Sequence, residues 1–217
     1  MSVPPAAPIS NVDRPAPRVH APVWRRPRQW WRWLSGLVGS RYDGLDNFHV
    51  VRPGVLLRSG QPRVRDLRAI QQQHGLRTIV VARGGTRHPL RGRWFRLETR
   101  FCREHGIQLE HWPFSDAASP PAQIFDRFVA LMREPANHPV LVHCEQGWHR
   151  TGVLVAAYRI ALEGWTLHDA LDEAARLGFE MSVPKRAALR EALTHWSGAR
   201  AQAKPGSGEP TVRSMVQ

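Results

Sequence analysis

Cys144, Arg150 and Thr151 stand in the run His143-Cys144-Glu145-Gln146-Gly147-Trp148-His149-Arg150-Thr151-Gly152, and their types and spacing describe a nucleophile beside an anion cradle. The run follows Pro139-Val140-Leu141-Val142, which reads as a short strand, and precedes residues 153–162, which read as a buried helix. A cysteine placed where a strand gives way to a helix faces unpaired backbone N–H groups and the positive end of the helix dipole. Both favour an anion, so the spacing predicts a Cys144 thiolate near neutral pH. The amides of Glu145, Gln146, Gly147, Trp148, His149 and Arg150 can curl around phosphate oxygens. Gly147 gives that loop backbone angles a side chain would forbid. The planar fork of Arg150 can grip two oxygens at once, and the Thr151 hydroxyl can donate to the sulfur and make it a better leaving group. A buried cysteine in an ordinary strand-to-helix turn is the competing reading. No metal site is expected, because Cys144, His143 and His149 lack the paired ligand spacing of zinc modules.

Cys-x5-Arg-Thr-Gly with a preceding His resembles the signature of the cysteine-dependent protein tyrosine and dual-specificity phosphatases. A second match lies far away in the chain. Asn47, the Pro53-Gly54 turn and Arg58-Ser59-Gly60-Gln61-Pro62 are similar to the opening segment of bacterial and fungal atypical dual-specificity phosphatases. The resemblance covers roughly residues 46–196 and implies an α/β domain: a central, mostly parallel sheet of four or five strands flanked by helices, with Cys144 at the C-terminal end of one strand. It implies a phosphocysteine mechanism that needs no cofactor. Cys144 attacks phosphorus, the loop amides and Arg150 stabilise the equatorial oxygens, and His143 orients Cys144. One carboxylic acid on a nearby loop can protonate the leaving oxygen and then activate water. Asp116 is the only carboxylate in the loop of residues 112–121, and is the candidate; a turn or cap residue is the other reading. Arg83, before Gly84-Gly85, resembles the family's strand-end arginine and is a secondary candidate for the site, with a solvated charge as the favoured reading. Arg58 and Gln61 are candidates for the border of the pocket, with a structural role tying neighbouring strands together as the alternative.

The whole chain has 217 residues, of which 42% are hydrophobic and 23% charged, enough for one well-cored domain plus tails. Its 31 Lys+Arg against 18 Asp+Glu leave a formal net charge of +13, which favours acidic partners. Two cysteines, Cys102 and Cys144, imply no disulfide framework and suit a reducing compartment; Cys102 reads as core packing, with a regulatory partnership to Cys144 as the minor alternative. No apolar run reaches the ~20 residues that span a bilayer, and no secretory pattern opens the chain. The expected location is cytoplasmic, with peripheral contact at the inner face of the membrane as an option.

The elements that position these residues follow in order. Residues 1–23 are Pro-rich and read as a disordered leader. Residues 24–45 form a basic, Trp-rich segment, in which Trp24, Trp30, Trp31 and Trp33 alternate with arginines. It suits an interfacial helix on anionic membrane, or a helix packed on the domain's own surface; a nucleic-acid strand ranks third. Residues 46–197 read as the phosphatase domain and 198–217 as a flexible tail. Within the domain, two short strands joined by the Pro-Gly turn precede an amphipathic helix ending at Gly75, then a buried strand over 76–82. A helix over about 91–105, a strand over 107–112 and a helix over 121–133 lead into the signature. A helix capped by Thr166, with charges that read as a solvated face, and a last helix over 181–196 close the pattern.

Substrates implied by the resemblance are phosphate monoesters: phosphotyrosine protein, or a non-protein phosphate. His149 before Arg-Thr-Gly resembles the fungal and plant enzymes that remove phosphate from inositol pyrophosphates. An RNA 5′-triphosphatase, or a non-catalytic phosphate-binding module at membrane or nucleic acid, are the alternatives.

Overall fold

The computed structural model describes residues 47–86, 92–121 and 123–203; the Pro-rich and Trp-rich segments lie outside the described residues. β1 (His49–Arg52) and β2 (Leu56–Ser59) pair antiparallel across the Pro53-Gly54 turn. Gly54 takes φ +68° and the Val55 N–H donates to Arg52 O, a turn closed at the third residue. The chain continues through α1 (Val64–His74), β3 (Thr78–Val81), α2 (Arg93–Glu104), β4 (Gln108–His111), α3 (Ile124–Arg133) and β5 (Val140–His143). Three helices end the domain: α4 (His149–Leu162), α5 (Leu167–Arg176) and α6 (Ala187–Gln202).

The sheet order is β1-β2-β5-β3-β4, with every pair parallel except β1 with β2. The mostly parallel sheet of four or five strands expected from sequence is therefore present, with five. β5 lies at its centre and is buried along its whole length, which explains why Val140-Leu141-Val142 is continuously apolar rather than alternating. Successive side chains leave the sheet on opposite sides. Leu56, Val80, Val140 and Val142 enter a core built with α3, α4, α5 and α6, while Leu57, Ile79, Val81 and Leu141 enter one built with α1 and α2. Cys102 belongs to the second core and Cys144 to the first, and both are free thiols. Burial pushes the Cys102 thiol up to about 12, the behaviour of a packing residue rather than a reactive one.

α4 is buried from Thr151 to Tyr158 because it runs between the sheet and its neighbouring helices. Its far end is tied by charge. Arg159 donates Nε and Nη2 to the two carboxylate oxygens of Glu173 (3.0 and 2.7 Å), pairs with Glu163 and lies over the Trp165 ring. The charges of α5 are thus not all a solvated face, since Glu173 turns inward to meet a cation that α4 carries into the core. α6 also differs from the pattern. It continues past Trp196 through Gln202, carried by Ala199, Arg200, Ala201 and Gln202, all good helix formers, despite Gly198. Trp196 anchors this stretch by donating its indole N–H to Asp126 and packing on Phe125.

Phe128 is fully buried against Trp112. Its replacement by Ala is expected to destabilise the domain by about 3–5 kcal/mol, read as a lower urea midpoint at unchanged slope.

Candidate active site

The C-terminal ends of β2, β3 and β5 meet at the loop that joins β5 to α4. Ala82 N–H donates to His143 O and Gln61 N–H to Glu145 O (2.9 and 3.0 Å), so the loop is stitched on both sides to its neighbours. Gly147 sits at the tightest point, with φ +76°. A Cβ there would lie 2.6 Å from the backbone of Ser59 and Gly60. Its N–H points at Cys144 Sγ (3.3 Å), while its carbonyl accepts from Arg58 Nη2 (2.6 Å) and Asn47 Nδ2 (2.9 Å). Asn47 also donates to Leu177 O (2.8 Å), joining the loop to the end of α5.

Arg58 is fully buried below the loop. Burial pulls its pKa down to about 10, against the pull of Glu173 and Cys144, and it remains a cation at neutral pH. It meets the loop through the Gly147 carbonyl.

Burial alone would push the Cys144 thiol up. The positive charge of Arg150, the Thr151 hydroxyl and the amides of Thr151 and Gly147 outweigh burial, and the thiol lies below its ordinary value. Thr151 is itself fully buried and its hydroxyl has no oxygen or nitrogen partner, which leaves the sulfur as the acceptor it supports. Arg150 Nη1 donates to Ala82 O and Phe114 O (3.3 and 3.4 Å), and Nη2 lies 4.0 Å from Glu145. Its Nε is buried without a partner, a donor left for an anion.

Two groups of side chains flank this centre. On one side Arg83 lies over Trp94, donates to Gln61 Oε1 (3.4 Å) and pairs with Glu145 Oε1 (3.4 Å). Gln61 in turn donates to Glu98 Oε2 (3.2 Å), and Glu98 Oε1 meets His143 Nε2 (2.8 Å). On the other side Arg186 donates to Asp116 through both its carboxylate (2.5 Å) and its backbone carbonyl (2.8 Å). His149 Nε2 donates to Glu180 Oε2 (3.1 Å), which also faces Arg186. Burial and Arg186 push His149 down to about 4, so its imidazole is neutral near pH 7. Burial raises Asp116, but Arg186 and Arg150 overcome it and hold the carboxyl below the usual range. Trp148 packs its ring on Gly178, where a Cβ would come within 3.0 Å of it, and meets His149 edge-on.

The structure therefore brings Cys144, Glu145, Gly147, His149, Arg150, Thr151, His143, Arg83 and Asp116 into one neighbourhood, and sets Arg58 beneath it. Gln146 is half-exposed on the loop, and no hydrogen bond of its side chain enters this network. Three contributors were not singled out from sequence. Glu98 had a signal: it falls on the same face of α2 as Trp94, Phe101 and Cys102 and is as buried as they are. Glu180 and Arg186 had none, because they come from the irregular connection between α5 and α6.

A family model described as the tyrosine phosphatase family matches residues 44–195. This chain belongs to the tyrosine phosphatase family. Within the family it is similar to the atypical dual-specificity enzymes. It is 30% identical over 161 residues to the inositol diphosphatase SIW14 of Saccharomyces cerevisiae, an alignment covering 72% of this chain and 52% of that one. It is 51% identical over 58 residues to the dual specificity protein phosphatase TpbA of Pseudomonas aeruginosa, 27% of each chain. The crystal structure of the SIW14 core catalytic domain superposes with a TM-score of 0.60 at 26% identity, covering 73% of this chain and 90% of that one. The chain spans about half the length of the SIW14 relative.

The loop geometry generates two expectations. Gly147→Ala combines a strained φ with a backbone clash, and is expected to weaken orthovanadate binding at least about tenfold in calorimetry while the domain stays folded by circular dichroism. Iodoacetamide alkylation of Cys144 should titrate below the value of a free cysteine. Arg150→Ala should move that midpoint upward, because losing the cation favours the neutral thiol.

Proposed function

We propose that this protein is a cysteine-dependent phosphatase acting through a phosphocysteine, and that its substrates are diphosphorylated inositol phosphates. The observation that carries the reading is Cys144 at the start of α4, its thiol facing Gly147 N–H and held below its ordinary value by Arg150, Thr151 and that amide against burial. The thiolate attacks phosphorus; an S–P bond forms as the P–O bond to the leaving group breaks. The loop amides and Arg150 hold the equatorial oxygens throughout. Water then attacks phosphorus, Asp116 accepts its proton, and the S–P bond breaks to release inorganic phosphate and the thiolate, which Thr151 stabilises. His143 orients Cys144 from the strand side.

The state of Asp116 bears on the substrate. Paired with Arg186 it is an anion, suited to take a proton from water and poorly supplied with one to give to a leaving oxygen. An alkyl phosphate needs that proton. A phosphoanhydride does not, because its leaving group departs as a phosphate already stable as an anion. The inositol diphosphatase names of SIW14 and of the rice relative DSP1, 32% identical over 131 residues, agree with this choice, and the net charge of +13 suits a polyanion. Phosphotyrosine, with its phenolic leaving group, is the second reading, supported by the TpbA similarity.

The test is phosphate release from diphosphoinositol phosphates, phosphotyrosine peptides, RNA 5′-triphosphate and an alkyl phosphate, by wild type, Cys144→Ser and Asp116→Asn. Wild type is expected to prefer the diphosphates, Cys144→Ser to be inactive, and Asp116→Asn to slow turnover of the diphosphates because water loses its base. A preference for phosphotyrosine peptide would replace the substrate reading. A wild type inactive on the whole panel would leave a phosphate-binding module.

We also read residues 24–33 as a peripheral contact with anionic membrane on its cytoplasmic side. Removal of residues 1–39 is expected to abolish co-sedimentation with vesicles containing phosphatidylserine, and undiminished sedimentation would refute this. Among the described residues no helix is long and apolar enough to cross a membrane.

A further inference from the structure

We propose that Glu98 is a positioning residue of the phosphate loop, one that fixes the proton and the orientation of His143 and thereby the main chain on both sides of Cys144. This rests on the phosphatase reading above. Glu98 is 1% exposed on the apolar face of α2. A carboxyl group in such a place is costly unless each oxygen is hydrogen-bonded. Both are: Oε1 by His143 Nε2 at 2.8 Å, and Oε2 by Gln61 Nε2 at 3.2 Å.

The far side of the His143 ring decides its protonation. Nδ1 lies 3.3 Å from Cys144 O. A carbonyl oxygen only accepts, so Nδ1 must carry a hydrogen. One further proton is then shared between Nε2 and Oε1, whichever atom holds it, and the tautomer with a bare Nδ1 is shut out. His143 is fully buried, so the Glu98 carboxyl is the group that holds Nε2.

The second oxygen extends the same control past the sulfur. Gln61, which Glu98 holds by its side chain, donates its backbone N–H to Glu145 O. Its side-chain oxygen accepts from Arg83, which pairs with the Glu145 carboxylate. One buried carboxyl thus bears on His143 directly and on Glu145 through Gln61, the two residues that bracket Cys144. The charged groups that bear on the sulfur itself are Arg150 from α4 and Arg58 from β2. Glu98 acts on the loop's shape and is no contact of the substrate.

The first measurement uses the full-length wild type labelled with 15N-histidine, in long-range 1H–15N spectra, with His143 assigned by its loss in His143→Asn. A protonated Nδ1 is expected, and a bare Nδ1 would overturn the proposal without any Glu98 variant having to fold. The second compares Glu98→Ala and Glu98→Gln on para-nitrophenyl phosphate. Glu98→Ala is expected to lower kcat about ten- to a hundredfold, with KM nearly kept, and to raise the midpoint of Cys144 alkylation. Glu98→Gln should recover part of the loss, because its amide nitrogen can donate to Nε2 while its oxygen still accepts from Gln61. A folded Glu98→Ala with wild-type kcat and alkylation profile would overturn the assignment. Wild type inactive on every phosphate ester and diphosphate would sink the phosphatase reading alone, since the histidine spectra and the alkylation profile still report on Glu98.

Discussion

The backbone conformation of Gly147 is the constraint on which the site depends. Its carbonyl is fastened by the guanidinium of Arg58 and the amide of Asn47, and its N–H points at the Cys144 sulfur. These two groups belong to successive peptide units joined at the Gly147 Cα, so the left-handed backbone conformation of that glycine, φ +76°, is what lets one face the arginine and the other the sulfur. Arg58 is held within β2, whose parallel partner β5 delivers Cys144, and the sheet register determines where the loop can lie. The cost of burying Arg58 with Nε and Nη1 unpaired is offset by what the third group, Nη2, holds in place.

Much of this was legible in the sequence because it is local. Cys144, Gly147, Arg150 and Thr151 occupy one strand–loop–helix unit, and a loop leading into a helix N-terminus carries its own amides. The apolar run over 140–142 announced a central strand, and the Pro53-Gly54 turn announced a strand pair. What lay beyond reach was assembled by topology. Arg186 and Glu180 arrive from a connection with no periodic pattern, and nothing in their neighbours says that they close over Asp116. Glu98 was legible in part, as a carboxylate on an apolar helical stripe, yet its partner is set by the crossing of α2 over β5. Glu173 was misread for the same reason: helix periodicity cannot tell a solvated acid from one facing a buried arginine.

The two sides of the pocket are electrostatically unlike. On the α2 side, buried carboxyl and amide groups pair with a histidine and shape the main chain. On the α6 side, Arg186 keeps Asp116 an anion, while burial and Arg186 keep His149 neutral against the pull of Glu180. The nucleophile lies between a scaffold that fixes geometry and a rim that fixes charge, and each can vary without rebuilding the other.

Asn47 gives the arrangement a mechanical side. It takes a left-handed backbone conformation, and its single side-chain amide clips Gly147 O to Leu177 O. A displacement of the main chain at Asn47 reaches the anion cradle through a single side chain, which makes this residue a lever on the loop.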